Sequence, residues 1–581
     1  MLLTLACAGF GACQDFSDDT AFEPVKPELS FVESAISAGK ASGEYQINIK
    51  SNLPWRLVSN RDWVTFDPSY GDGDAQVTVT VGANRTLDPR TATISAYVIK
   101  GEEISLTLTQ DAASASDLAT NYYVKADGDA ANDGLSWAKA TTLEQALEQA
   151  MNGDFIHVAA GRYLPTVPLS GVKADADKTF EIHSNFTMIG GYPADAAEGA
   201  VADPEKNETI LDGDKKAYHV VCVTAAKISG MRAVLDGFTI TGGTANFGSA
   251  GGPTIGGVKF YNTYGSAVFV GNSAVDIVRC KIKDNTDART GAIRVDKGAE
   301  ALFSYCEIRN NSCRDDGKSY NSGAFWIADC TLTHIDHTTI ANNKTSGVGV
   351  GIYVLGTGTT TNVLITNSTI SHNGILDESI LTRTGGGIYV REWGNVVIVN
   401  STVYGNRCSR GAGIATYGTA AAPSKAIIIS STITANVDFD VNQGPGILQA
   451  NAYGTLEIYN SLISGNSEAG GVEANLKLST SNNKAVHTIN GTAVYNADGT
   501  AIPGALFNYS TMLGPLADNG GVTPSCVLLG NDNPARQHGM AAAELENLCA
   551  GLDPIFGTVR GNIDQLDASR DGKTVIGAVV K

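Results

Sequence analysis

Positive charge is scarce in this sequence. Lysine and arginine number 41 against 60 aspartates and glutamates, a net charge of −19, and charged residues of either sign make up only 17%. Such a surface repels polyanions, which counts against a nucleic-acid partner. Ten cysteines are present, but none forms a Cys-x-x-Cys pair and no Cys/His cluster has zinc-ligand spacing; a zinc module and a dithiol redox motif are thereby excluded. There is no phosphate loop, dinucleotide fingerprint or serine-hydrolase elbow. Runs with helical periodicity are rare. The apolar run Leu2 to Phe10 is too short to cross a bilayer.

What is plentiful fits short strands and tight turns. Glycine reaches 65 of 581 residues, hydrophobic residues make up 43%, and Val, Ile, Thr, Ser and Asn recur throughout. A chain this long exceeds one ordinary domain unless it is a repeat array. From 28 to 111, strands such as Gln76 to Val81 and Ile104 to Gln110 alternate apolar and polar residues between turn signals, which indicates a small immunoglobulin-like β-sandwich. Residues 112–120 read as a linker.

Beyond it the sequence repeats itself. Ile-x-x-Asn recurs with its asparagine at Asn285, Asn311, Asn343, Asn373, Asn406, Asn436 and Asn466. A second phrase, Gly-Ile-x-Val, alternates with it, as at Gly351 to Val354 and Gly387 to Val390. Coils of about 30 residues without amphipathic helices are too short for propeller blades and lack the leucine-rich grammar. A parallel β-helix over 121–510 fits: Ile and Val point inward, and the asparagines stack as a ladder, each at a bend where a left-handed backbone is tolerated. Leu143, Ala146, Leu147 and Ala150 mark one apolar face of a helix near 143–151 that caps the open end. The fold class expected is all-β. Cys280 and Cys306 fall at matching points of successive coils; they read as small core residues, with a rung-to-rung disulfide left open.

Several stretches resemble known families. Ser51 to Trp55, Asp62 to Val64, Gly71 to Gly73, Asn84-Arg85, Arg90 and Gln110 resemble the BACON domain, a carbohydrate-associated module. From the residues alone, Trp55 and Trp63 read as core packing, and the domain as a spacer. Tyr122 to Val124, Asp133 to Trp137, Gly153 to Tyr163, Met188 to Tyr192 and Leu235 to Ile240 resemble right-handed, pectin-lyase-like β-helix lipoproteins. Leu513 to Pro524, Asp564-Gln565 and Ile576 to Ala578 resemble the choice-of-anchor Q element, which makes 511–581 the expected C-terminal cap. Gly11-Ala12-Cys13 resembles a bacterial lipobox, with Phe10 where leucine is more usual, and the acidic run behind it resembles the surface-export signal of Bacteroidota lipoproteins. The resemblance implies a signal peptide over 1–12, lipid on Cys13, a tether over 13–27, and display on the outer membrane. The basic n-region of a signal peptide is absent, which leaves the start codon open.

Candidate site residues follow from the outward position of the second phrase. Coil by coil it holds Arg294, Trp326, Tyr353, Tyr389, Ala415, Leu448 and Glu473; two residues further on stand Asp296, Ala328, Leu355, Arg391 and Tyr417. Arg294, Trp326, Tyr353, Tyr389 and Tyr417 are expected to form an exposed stripe that stacks on sugar rings. Strand propensity alone also explains tyrosines there. Polysaccharide lyases of this fold use a Lys or Arg base, often with calcium, and glycosidases use carboxylate pairs. The candidates here are Asp296 and Arg391, with Lys297 and Glu392 beside them, and no two carboxylates recur at one strand position. A non-catalytic glycan binder or adhesin is therefore the expectation; a lyase or glycosidase is the alternative, and a purely structural protein the third. No cofactor is expected. Asp127, Asp129, Asn132 and Asp133 form an oxygen-rich loop open to calcium, but without EF-hand spacing, so a structural turn is expected. His334 and His337 read as a turn feature rather than metal ligands.

Overall fold

The computed structural model describes residues 26–84, 86–98, 103–114, 119–169, 175–245, 251–313, 322–345, 347–375, 383–479 and 483–581. The leader, Cys13, most of the tether, Arg85 and part of the linker lie outside them. The chain divides into two compact units, 1–118 and 119–581.

The first unit is a β-sandwich. One sheet runs Leu29–Phe31, Gly43–Ser51, Ala75–Val81, Val64–Asp67; the other runs Ala35–Ala38, Glu103–Gln110, Arg90–Val98, Pro54–Ser59, Tyr70–Asp72. Period-two alternation places Ile47, Ile49, Val77, Val79, Ile94 and Leu108 between the sheets at 0–1% exposure. Trp55 belongs to this core and donates its indole N–H to the Gly73 carbonyl at 2.8 Å. Trp63 is half-buried, with the Arg90 guanidinium 4.0 Å above its ring. Both tryptophans are packing residues.

The second unit is a parallel β-helix. Its coils contribute to three long sheets with 12, 13 and 10 described strands, and to a six-stranded sheet of two-residue strands. One coil shows the plan: Thr361–Thr366 in the first sheet, Thr369–Ser371 in the second, the short Gly374–Ile375, then Ile388–Val390 in the third. Ile352, Ile388 and Ile414 are register partners in successive coils, and all are fully buried. The helix Leu143–Gln149, capped by Thr142, buries Leu143, Ala146 and Leu147 at the start of this interior.

The asparagines form a continuous ladder. From Asn311 onward each carboxamide oxygen accepts from the backbone N–H and the Nδ2 of the asparagine one coil earlier, as Asn406 does from Asn373 at 3.0 Å and 3.0 Å, while the first, Asn285, accepts from the Gly243 N–H at 2.9 Å. The ladder ends on Asn475, whose Nδ2 donates to Glu473 at 2.8 Å. The left-handed residue is not the ladder asparagine, as expected above, but the one before it: Asp284, Asn310, Asn342, His372 and Ala435, and glycine at 405 and 465. The ladder residue keeps a backbone geometry that holds its side chain inward, so its predecessor makes the turn. A second ladder of hydroxyls runs through Thr338, Ser368, Ser401, Ser431 and Ser461, each oxygen accepting an N–H from the coil before. Cys306 precedes Thr338 in that column. None of the eight described cysteines is in a disulfide, Cys280 and Cys306 included.

The segment expected to cap the end lies along the side of the stack. Helix Ala542–Ala550 and Phe556 pack Leu545, Cys549 and Phe556 onto the outward Leu364, Val397 and Ile427 of the first sheet. Gln565 joins two coils: it donates to Thr369 Oγ1 at 2.8 Å and accepts from Thr402 Oγ1 at 2.6 Å. The Ala578 N–H donates to Thr432 Oγ1 at 3.0 Å. The outward threonines of three successive rungs are thus anchor points for this C-terminal element.

Candidate functional site

The outward column of the third sheet aligns as the phrase predicts. Arg294 pairs in register with Trp326, Trp326 with Tyr353, Tyr353 with Tyr389, then Ala415 and Leu448. The last rung is Lys477 rather than Glu473; Glu473 instead receives the end of the asparagine ladder. Asp296, Ala328 and Leu355 form the parallel column two residues on.

Alignment does not bring the expected exposure. Tyr353 is fully buried, and Tyr389, Arg294 and Asp296 are 6–8% exposed. The turns before these strands double back over them. Gly349 (φ 60°) and Gly385 (φ 79°) lie so close that a β-carbon would stand 2.7 Å from Tyr353 Cβ and 2.5 Å from Tyr389 Cβ. Only glycine fits both the backbone angle and the space. Val348 completes the cover. Arg294 is held by Asp296 at 2.7 Å, its guanidinium 5.3 Å from the rings of both Tyr264 and Trp326. These residues are a floor, not a platform.

The half-buried residues packed against that floor are Trp326, Leu355, Arg391 with its partner Glu392, and Tyr417. Trp326 and Tyr353 have ring centroids 4.4 Å apart, and Tyr353 and Tyr389 5.6 Å. Arg391 donates to Tyr353 Oη at 3.2 Å and to Glu392 Oε1 at 2.6 Å, with its guanidinium 5.2 Å from the Tyr417 ring. Burial works against the Arg391 charge, but its hydrogen bond to the Tyr353 hydroxyl and the Glu392 carboxylate favour it, and the net shift of its pKa is upward. Burial also pushes the Tyr389 phenol up, so it stays neutral. Among the described residues, Trp326 Nε1, Arg391 Nε and Glu392 Oε2 have no hydrogen-bond partner. Trp393, held at φ 59° at the turn into the next strand, escaped sequence reading because it falls outside the repeated phrase.

The two catalytic candidates are not brought together. Asp296 and Arg391 stand three rungs apart, roughly 14 Å at the usual strand spacing, and Asp296 is already paired with Arg294. His334 and His337 also separate: His334 Nε2 meets Thr366 Oγ1 at 2.8 Å, while His337 lies between Asp336 and Asp567 of the C-terminal element, at 2.8 and 3.0 Å. In the 127–133 loop, Asp129 and Asp133 close their own turns by accepting from Ala131 and Leu135 N–H groups.

Residues 223–374 and 293–502 match the family model of the right-handed β-helix region, and residues 54–111 match the BACON model. No curated protein matches the sequence. Among solved structures, a Bacteroides ovatus GH5 xyloglucanase in complex with a XXXG heptasaccharide is similar at 19% identity over 23% of this chain, with a TM-score of 0.15. The chain spans 37% of that protein. The pectate lyase Pel9A is similar at 15% identity, covering 63% of this chain and 79% of its own, with a TM-score of 0.41. A rhamnogalacturonan lyase is similar at 12% identity, covering 64% and 87%, with a TM-score of 0.27. Strand register, ladder and both family models meet in one description: a BACON domain followed by a right-handed parallel β-helix.

Proposed function

We propose that this protein is a surface-displayed lipoprotein that binds polysaccharide along the third-sheet flank without cleaving it. The observation that carries the reading is that half-buried Trp326 and Tyr417 flank Arg391 and its partner Glu392: Trp326 packs on Tyr353, to whose hydroxyl Arg391 donates, and the Tyr417 ring lies 5.2 Å from the guanidinium. Aromatic edges and faces suit the apolar side of a pyranose ring, and a guanidinium beside a carboxylate offers a donor and an acceptor to neighbouring hydroxyls. The three-rung separation of Asp296 from Arg391 supports binding over catalysis. In this reading Cys13 carries the lipid, the BACON domain is a spacer, and the chain sits on the outer membrane facing glycans.

Titration of intrinsic tryptophan fluorescence with soluble polysaccharides tests the flank. A ligand that quenches the wild type should bind about tenfold more weakly to Trp326→Ala and Arg391→Ala, a change of about 1.4 kcal/mol. Equal affinity of wild type and both variants, or no ligand at all, would remove the flank as the site. Release of shortened products during the titration would replace binding with cleavage. Cys13→Ala should move the protein from the membrane to the soluble fraction; retention in the membrane would refute the anchor.

A further inference from the structure

A second concave surface lies on a different sheet, and it owes its shape to the C-terminal element stopping short. Along one outward column of the second sheet, Thr369, Thr402 and Thr432 are covered by that element, whereas Lys281, Glu307 and Thr339 in the same column are left open. The loop Asp518 to Pro524 forms the edge of the cover. It is pinned by Thr523 Oγ1 donating to the Asn367 carbonyl at 2.9 Å and by Pro524 accepting from Thr369. Between this loop and the open rungs runs a groove of about 400 Å³, within the size range of small-ligand clefts.

An aromatic ring stands in its wall at a backbone position that does not favour one. The turn from the first sheet to the second is left-handed in successive coils, and Asn367, Asn400, Ser430 and Asn460 occupy it in four of them. Asparagine tolerates that geometry; bulky side chains resist it. Three consecutive coils hold Arg279, Tyr305 and His337 instead, at φ 49°, 56° and 45°. All three line the groove. Tyr305 is 46% exposed and lies parallel to His337, with centroids 4.8 Å apart. Strain of this kind, kept at a cleft, points to use rather than to stability.

The polar groups of the groove balance. Arg279 pairs with Asp236 at 2.6 Å, Lys281 with Glu205 at 2.9 Å, and Arg309 with Glu307. Exposed pairs such as the last two are weakly held, so their heads are free to meet ligand hydroxyls as both donors and acceptors, without net attraction for a charged polymer.

We propose that this groove is a second carbohydrate site, taking a neutral pyranose oligosaccharide whose ring stacks on Tyr305 and whose hydroxyls bridge the ion-paired rungs. It is independent of the third-sheet flank, so the test uses the Trp326→Ala chain, in which that flank is impaired. Isothermal titration with cellohexaose and mannohexaose is expected to show binding of at least one. Tyr305→Asn should weaken it about tenfold or more while leaving the melting temperature unchanged or higher, because asparagine suits the left-handed turn. Tyr305→Phe should retain binding. Hexagalacturonate should bind more weakly than the neutral sugars. A fall in melting temperature with Tyr305→Asn at unchanged affinity would make Tyr305 structural and overturn the proposal. So would preference for hexagalacturonate, or no binding of either neutral sugar.

Discussion

The two units bury the same kind of strand in opposite ways. In the sandwich, two sheets face each other and large single residues fill the gap, with Trp55 tied at its indole N–H to the Gly73 carbonyl at the end of the neighbouring strand. In the β-helix, each interior side chain meets its own kind one rung above and one below, and polar ladders run between the apolar columns. The sandwich core is a set of mutual contacts among distant strands. The stack is quasi-one-dimensional, with each coil supported by its neighbours. Loss of a group should therefore act differently in the two.

Removing one ladder residue is the harshest test. Asn406→Ala takes from the buried Asn373 N–H its side-chain acceptor, and from Asn373 Nδ2, the Ile370 carbonyl and Asn436 Oδ1 one hydrogen bond each, although Nδ2 keeps the Ile340 carbonyl and Oδ1 keeps the N–H of residue 406. At about 1–3 kcal/mol for the unsatisfied N–H and about 1 kcal/mol for each further hydrogen bond lost, the coil stack should lose roughly 4 kcal/mol. Denaturant unfolding followed by far-UV circular dichroism would show it, and a loss below about 1 kcal/mol would mean the ladder is ornamental. Trp55→Ala comes next, at about 3–5 kcal/mol. Calorimetry should find that loss in the sandwich transition alone; an equal shift in the stack would erase the distinction between the units.

A smaller effect depends on pH. Burial lowers the pKa of His337, but hydrogen bonds and charges from Asp336 and Asp567 outweigh it, and the net shift is upward. His334 and Tyr305 also face it. Because the folded value lies above the unfolded one, this contribution is fully present below about pH 6.5. It is lost as pH rises through the raised value. Hydrogen-exchange protection around 564–570, taken relative to the intrinsic exchange rate at each pH, should fall between pH 6 and pH 9, and His337→Gln should abolish that fall. An unchanged profile in the variant would place the pH sensitivity elsewhere. The mildest change is stabilising. Ala435 takes φ 58° where neighbouring coils have glycine. Ala435→Gly should therefore gain about 0.5 kcal/mol in the same denaturant experiment, and a loss would show that the turn does not strain alanine.

The repeat phrases were legible because interior columns demand the same residue coil after coil. Ile352, Ile388 and Ile414 could be stacked on paper, as could Arg294, Trp326, Tyr353 and Tyr389. The exposure of that second column was not legible. It depends on turns at Gly349 and Gly385 folding back over the rings, a matter of loop path rather than of strand periodicity. The left-handed residue was misplaced by one position, although an Asx- and glycine-rich column just before the ladder carried the signal. Trp393 and Tyr305 lie at turns, outside the phrase that guided the reading.

By itself, then, the sequence determined the local and periodic features: strands of alternating polarity, a coil of about 30 residues, the ladder, the capping helix and the two-unit division. Each follows from contacts within a coil or between adjacent coils. Only the tertiary structure decided which outward rungs are covered. The C-terminal element reaches back as far as His337, 230 residues from Asp567, to cover one stretch of the second sheet and leave Lys281, Glu307 and Thr339 open. No periodicity encodes a contact between one passing segment and one rung. It arises from threonine hydroxyls and apolar faces that match only after the coils have been stacked.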